Sequence, residues 1–345
     1  MEAPADSNAH QKRQNTRRFV DRATLLVIGI FAGVGCVELA MWSIYDRPWY
    51  DKLTSEQADT SPKGYTRNAF GLRDNPYPIP PPEGHRRILV LGDSFTFGLG
   101  VRNDEQIFTH RLEVMLNEQL AASGVEHFHV MNGGIPGSLT GDWLRLWKRI
   151  GSRYDPDLVL IVFFLRDGTL THSIPQFFGV IQKEITQRNR ASWLYRSSYV
   201  YRRIRDNLDR KEVGTRYTRA FRDSYFGDES QTKEWRAAQK NLLELRDLAR
   251  ASGARVAFAI FPVLVELDDD YPFRAICDLL EQFARENDLP VLNLLPAFMG
   301  QRSDELWVST FDQHPNAEGH RIAAEALFPF VAELVQNGVP PGVEP

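Results

Sequence analysis

Residues 88–98 read ILVLGDSFTFG. The run from Ile88 to Leu91 suits a short strand buried on both faces of a parallel sheet, and it stops abruptly at Gly92, Asp93 and Ser94. A strand ending there delivers Ser94 to the carboxyl edge of the sheet, where open α/β proteins bind their ligands. A serine hydroxyl is a weak nucleophile unless a base takes its proton. A catalytic reading of this stretch therefore requires a histidine and an orienting carboxylate elsewhere in the chain.

Outward from Ser94, strand and helix alternate. Residues 105–122 carry Ile107, Leu112, Met115 and Leu116 at helical spacing, FHVMN (128–132) reads as the second strand, and residues 138–152 read as a helix. DLVLIVFFL (157–165) is a third, strongly apolar strand. Further on, residues 232–253 predict a helix ending at Gly253, followed by the strand RVAFAIFP, a helix over 273–287, the strand VLNLL and a terminal helix over 317–336. This order predicts a parallel sheet covered by helices on both faces, a three-layer α/β/α domain over residues 87–336.

Three segments depart from the pattern. Residues 23–45 (ATLLVIGIFAGVGCVELAMWSIY) contain one charge, Glu38, and are long enough to cross a membrane. Lys12, Arg13, Arg17, Arg18 and Arg22 precede them, and Trp42 and Tyr45 close them, so the spacing predicts an uncleaved anchor, a cytoplasmic tail over 1–22 and the rest of the chain outside the cytoplasm. Residues 46–86 are polar and proline-rich, an extended linker or a strap over the next domain. The stretch 170–232 interrupts the alternation with Arg188, Arg190, Arg196, Arg202, Arg203 and Arg205 near Trp193, Tyr195, Tyr199 and Tyr201. Its plainer reading is a solvated helix whose aromatic side chains pack on the main domain; the other is a cap that meets an acidic polymer or lipid headgroups. Residues 337–345 form a short tail.

Composition excludes some functions. A net charge of −4 gives no footprint for nucleic acid, and the two cysteines, Cys36 and Cys277, suit neither a disulfide framework nor a cysteine-ligated metal site. Neither GDSFTFGLG nor GLGVRN completes a phosphate-binding or dinucleotide motif, and Asp268, Asp269 and Asp270 lack the spacing of a calcium loop. No metal or cofactor is expected.

Of eight histidines, His314 stands out. It follows Asp312 by two positions in DQHPNAEGH, just ahead of the terminal helix, where a carboxylate can fix the imidazole tautomer and support its positive charge. His320 reads as a packing residue in that helix. His10 belongs to the tail, His85 to the linker, and His110, His127, His129 and His172 read as structural or solvated.

GDSF after the first strand, NGGIPG after the second and DQHPNAEGH near the end resemble the GDSL, or SGNH, hydrolases; NAFGLRD, PDLVLIVFF and HPNAEGHRIAAEAL extend the likeness over residues 65–336 to the membrane-anchored members. The resemblance implies a flavodoxin-like sheet and ester hydrolysis without a cofactor. It places the nucleophile at Ser94, the general base at His314 and the orienting acid at Asp312, with the N–H groups of Ser94 and Gly137 in the oxyanion hole. Two departures stand out. Arg166 in FLRDG occupies the place of an asparagine that usually supplies a third oxyanion donor, and Asp312 precedes His314 by two residues where three are common. Arg166 could donate from another direction, bind an anionic group, or enter a salt bridge, with Asp167 as a candidate partner. The expected function is an extracytoplasmic esterase acting on an acylated glycan, with O-acetyl groups of an envelope or exported polysaccharide the leading substrate. Acyl transfer from the same site, or an impaired scaffold among envelope-assembly partner proteins, are the alternatives.

Overall fold

The computed structural model describes residues 7–44, 65, 67–120, 127–169, 174–309 and 312–336, with backbone only for 7–16, 174–179 and 182. Tyr45, the linker over 46–64, His172 and the tail 337–345 lie outside the described residues, as does the side chain of His10. The chain divides into two compact units, residues 56–176 with 215–345, and residues 1–55 with 177–214.

In the first unit, β1 (His85–Gly92), β2 (His127–Gly134), β3 (Leu158–Phe164), β4 (Arg255–Phe261) and β5 (Val291–Asn293) pair in parallel in the order β2-β1-β3-β4-β5. All seven residues of β3 are buried, which is why this strand reads as an unbroken apolar run with no alternation. Each such side chain contributes about 1.5–3 kcal/mol by leaving water. The helix Phe108–Gln119 packs on the terminal helix Ala317–Gln336, and Thr140–Arg149 packs on Lys233–Ala251. Because β1 lies between β2 and β3, chain segments leaving β1 and β3 diverge, opening a crevice at their carboxyl ends. Ser94 and Arg166 are placed there by the sheet.

Residues 67–84 are tied to this unit through Arg73. Its buried guanidinium donates to Asp104 Oδ1 (2.7 Å) and to the carbonyls of Gly98 (2.6 Å) and Val101 (2.6 Å), gripping the loop that follows Ser94. Strand β1 begins at His85, earlier than its apolar run suggests, and Arg86 and Arg87 both find hydrogen-bond partners nearby. Asp157 receives the Arg86 guanidinium and the Arg87 N–H, and Arg87 also donates to the Tyr154 carbonyl at 2.8 Å.

The second unit contains the helix Ser7–Ile44, of which Arg17–Ile44 is long and apolar enough to cross a membrane and is exposed along its length. The unit also holds most of the helix Ile174–Ala191, all of Trp193–Ser197 and the start of Tyr199–Phe226. Ile181, Ile185 and Val213 form a small core, beside which buried Asp209 accepts from Arg188 (2.6 Å), Arg205 (2.8 Å) and Asn189 (2.8 Å).

Candidate active site

The turn after β1 is built by short side chains. A Cβ at Gly92 would fall 2.0 Å from Thr96 Oγ1 and 2.9 Å from the Val162 carbonyl, so only glycine lets the helical turn Ser94–Phe97 fold back on the strand end. Asp93 caps that turn, its Oδ1 accepting from the Phe95 N–H at 2.8 Å. Ser94 is buried at the head of the turn. Phe95 stacks on Phe164 with centroids 3.9 Å apart and lies 5.5 Å from the His314 ring, which gives the site an apolar wall.

His314 arrives from the other end of the chain on β7 (Asp312–Pro315), paired antiparallel with β6 (Trp307–Ser309). Asn316 fixes its approach. The Asn316 side chain accepts from the N–H groups of Glu318 (2.9 Å) and Gly319 (3.1 Å), capping the terminal helix, and donates to the carbonyls of Glu305 and Trp307. The DQHPN segment is therefore a helix cap and a hairpin strand at once.

The structure brings Ser94, His314 and Asp312 together. Nε2 of His314 lies 2.9 Å from Ser94 Oγ, and Nδ1 is hydrogen-bonded to Asp312 Oδ1, which also accepts the His314 backbone N–H at 3.1 Å. Burial acts to raise the Asp312 carboxyl, but its hydrogen bonds to His314 and the imidazole charge outweigh that and hold it below the usual carboxylate range. An ionised Asp312 can only accept, so Nδ1 carries the proton and Nε2 presents a lone pair to the Ser94 hydroxyl. A two-residue spacing suffices here because Asp312 and His314 project from the same face of one extended strand.

Gly137 lies in the loop after β2 with φ +75°, and a Cβ built there would meet nothing within 4 Å. Among the described residues neither its N–H nor that of Ser94 donates to a protein acceptor, leaving both able to meet a developing oxyanion.

Arg166, at the end of β3, reaches a different carboxylate from the candidate named above. Its guanidinium pairs with Asp93 Oδ2 at 2.9 Å; Asp167 instead accepts the Phe164 N–H at 2.8 Å. Burial, and then the charge of Asp93, push the Asp167 carboxyl well above its ordinary range. The pair puts Arg166 beside Ser94, because Asp93 Oδ2 is also 3.4 Å from Ser94 Oγ. Asp93 was not singled out by sequence; its position beside Ser94 reads as a turn residue, and its partner lies 73 positions away.

His320 is buried, accepts the Phe108 N–H at 3.3 Å, and is pushed down to about 3 by burial and the nearby Arg73, as a neutral packing residue should be. At the opposite edge of the sheet, one nitrogen or oxygen from each of Glu113, His127 and His129 lies within 4.8 Å of the others. HFH alternation on a strand, which puts His127 and His129 on one face, was the available signal for this group.

An α/β sheet with a serine at the switch point, a histidine within hydrogen-bonding reach and a buried carboxylate behind it defines the serine-hydrolase class. The chain belongs to the GDSL-like lipase/acylhydrolase family, whose match covers residues 90–322, and it is thereby an ester-bond hydrolase. Similar solved structures include a lipolytic protein of the G-D-S-L family from Desulfitobacterium hafniense DCB-2, at 16% identity over 70% of this chain and 98% of that one, with a TM-score of 0.38. They also include a catalytic mutant of Axe2, an acetylxylan esterase from Geobacillus stearothermophilus, at 14% identity over 75% and 97% of the two chains, TM-score 0.41. The esterase EstA from Pseudoalteromonas sp. matches at 16% identity over 73% and 100%, TM-score 0.39. No curated protein matches the chain.

Proposed function

We propose that this protein is a membrane-anchored serine esterase that removes O-acyl groups, acetyl foremost, from an envelope or exported polysaccharide, with Ser94 as nucleophile, His314 as general base and Asp312 as its orienter. The observation that carries the reading is the 2.9 Å contact between Ser94 Oγ and the one imidazole nitrogen that Asp312 leaves unprotonated.

His314 Nε2 takes the hydroxyl proton as Ser94 Oγ bonds to the ester carbonyl carbon. The N–H groups of Ser94 and Gly137 receive the oxyanion, each donor contributing about 3 kcal/mol to the transition state. Collapse breaks the carbon–oxygen bond to the leaving alcohol, which takes the proton from His314, and the same base then activates water to free Ser94. The apolar helix Arg17–Ile44 supports the membrane anchor, and the basic cluster before it supports an extracytoplasmic site.

Full-length protein treated with a fluorophosphonate probe and with an aryl acetate tests the chemistry. Labelling and acetate release by the wild type, both lost in Ser94→Ala, are expected. Labelling that survives Ser94→Ala would exclude Ser94 as nucleophile, and acylated glycan accumulating in place of free acid would redirect the reaction to acyl transfer.

A further inference from the structure

Glu38 is the one charge within the apolar stretch 23–45, and the structure gives it partners. Its Oε1 accepts from Ser198 Oγ, and Oε2 accepts from the N–H groups of Tyr199 (2.6 Å) and Val200 (3.4 Å). Those N–H groups open the 28-residue helix Tyr199–Phe226, so the carboxylate satisfies donors that no helical carbonyl can reach and meets the positive end of the helix dipole. Residues 198–200 are thereby held at a fixed height on the apolar helix. At 1.5 Å per residue, Glu38 lies roughly 10 Å inside the distal end of the apolar stretch, which puts its partners at the inner limit of the roughly 5–10 Å depth to which an interfacial helix buries its apolar face.

The residues around that join have the composition such a boundary requires. Trp193 and Leu194, five and four residues before Ser198, are 69% and 47% exposed. Ile204 and Leu208, also about half exposed, are one helical turn apart, on the side of the helix opposite Asp206, Asp209 and Val213, which are buried. Residues 177–214 contain nine lysines and arginines against four acidic residues. Asp209 is engaged by Arg188 and Arg205, and Asp206 accepts the Tyr195 hydroxyl at 2.8 Å, so these acids face inward. Arg190, Arg196 and Arg203 are exposed, and among the described residues no carboxylate pairs with them. Asp206 and Asp209 inward, with arginines and large apolar groups outward, is the pattern of a helix lying in a membrane interface.

We propose that residues 190–208 form a lipid-binding surface seated on the anionic leaflet at the distal end of the apolar helix. Trp193, Leu194, Ile204 and Leu208 enter the acyl boundary, Arg190, Arg196 and Arg203 pair with lipid phosphates, and Glu38 sets the depth. This inference rests on the membrane-anchored reading above. It takes up the sequence reading of a cap that meets lipid headgroups over that of a solvated helix whose aromatic side chains pack on the main domain, and the exposure of Trp193 and Leu194 supports that choice.

The test uses full-length protein in nanodiscs of phosphatidylcholine and phosphatidylglycerol, with Cys36→Ser as background and an environment-sensitive fluorophore on Ile30→Cys, Leu194→Cys or Ile204→Cys. Deep nitroxide lipids should quench position 30, and shallow ones should quench positions 194 and 204 by at least about twofold. Quenching at 30 with none at 194 and 204 overturns the proposal and leaves the anchor standing; no quenching at 30 removes the anchor itself. Combined Arg190→Glu, Arg196→Glu and Arg203→Glu should halve the shallow quenching, as should omission of phosphatidylglycerol. Quenching unchanged by both would overturn the anionic-lipid assignment.

Discussion

The two edges of the five-stranded sheet both gather histidines and carboxylates, yet in different pairings. At the carboxyl edge a carboxylate faces the imidazole directly, Asp312 on His314, and so decides which nitrogen is left for Ser94. At the amino edge imidazole faces imidazole, His85 Nδ1 lying 2.9 Å from His129 Nε2, while the Glu113 carboxylate takes the Val130 N–H at 2.7 Å. Burial, then the neighbouring His127 and His85, push His129 down to about 4, and burial pushes Glu113 up, so both groups are driven towards neutrality. A histidine's partner, more than its burial, separates the proposed general base from a structural group.

The sharpest way to break this contrast is to truncate both edges. Ser94→Ala and His314→Ala should each lower kcat for an aryl acetate by at least about 10³-fold. His127→Ala and His129→Ala should leave it within about threefold. Comparable losses at the two edges would mean that the amino-edge cluster shapes the site. Asp312→Asn should cost about 10²–10⁴-fold in kcat with little change in fold, since the amide can donate to Nδ1 and favour the wrong tautomer; circular dichroism alongside the kinetics separates that from unfolding.

A middle-sized effect is expected at the ion pair beside Ser94. Asp93 is 1% exposed, and removing Arg166 alone leaves its charge buried without that partner. Arg166→Asn should destabilise by about 3 kcal/mol, and adding Asp93→Asn should recover at least half of it. Denaturant midpoints of the four proteins check this. Additive losses would show that the pair is not coupled.

These residues also mark what the sequence could convey. Parallel strands buried on both faces announce themselves as apolar runs, so β1 to β4 were legible, and so was Ser94 at the end of β1. His314 was legible because DQHPN couples it to Asp312 and to a helix start within five residues. The Asp93–Arg166 pair was not, since it depends on β1 and β3 lying side by side, a property of sheet order that neither segment carries. For the same reason His85 read as linker: only the register of β1 with β2 sets it opposite His127. The helix expected over 105–122 is shorter, Phe108–Gln119, because Asn103 caps a separate turn at Asp104–Gln106 and Ile107 is extended.

The smallest expected effects are in the pH dependence of stability, and their signs differ between two groups beside β2, Asp74 and His129. Asp74, whose Oδ1 accepts the Tyr77 hydroxyl and whose Oδ2 accepts the Asn132 N–H of β2, is raised to about 7 by burial. Between pH 4 and 7 the folded chain holds this proton and the unfolded chain does not, so its contribution is present at low pH and is lost as pH rises towards 7. Asp74→Asn should remove about 2 kcal/mol of the stability that the wild type gains between pH 7 and pH 5. His129 runs the other way. Its folded value near 4 lies below the ordinary 6.5, so the unfolded chain binds the proton first and stability falls as pH drops through that window. His129→Gln should therefore lose about 1 kcal/mol less than the wild type between pH 7 and pH 5, after discounting for partial exposure. Denaturant midpoints at the two pH values measure both, and a His129→Gln profile parallel to the wild type would show that His129 is protonated in the folded protein at pH 5.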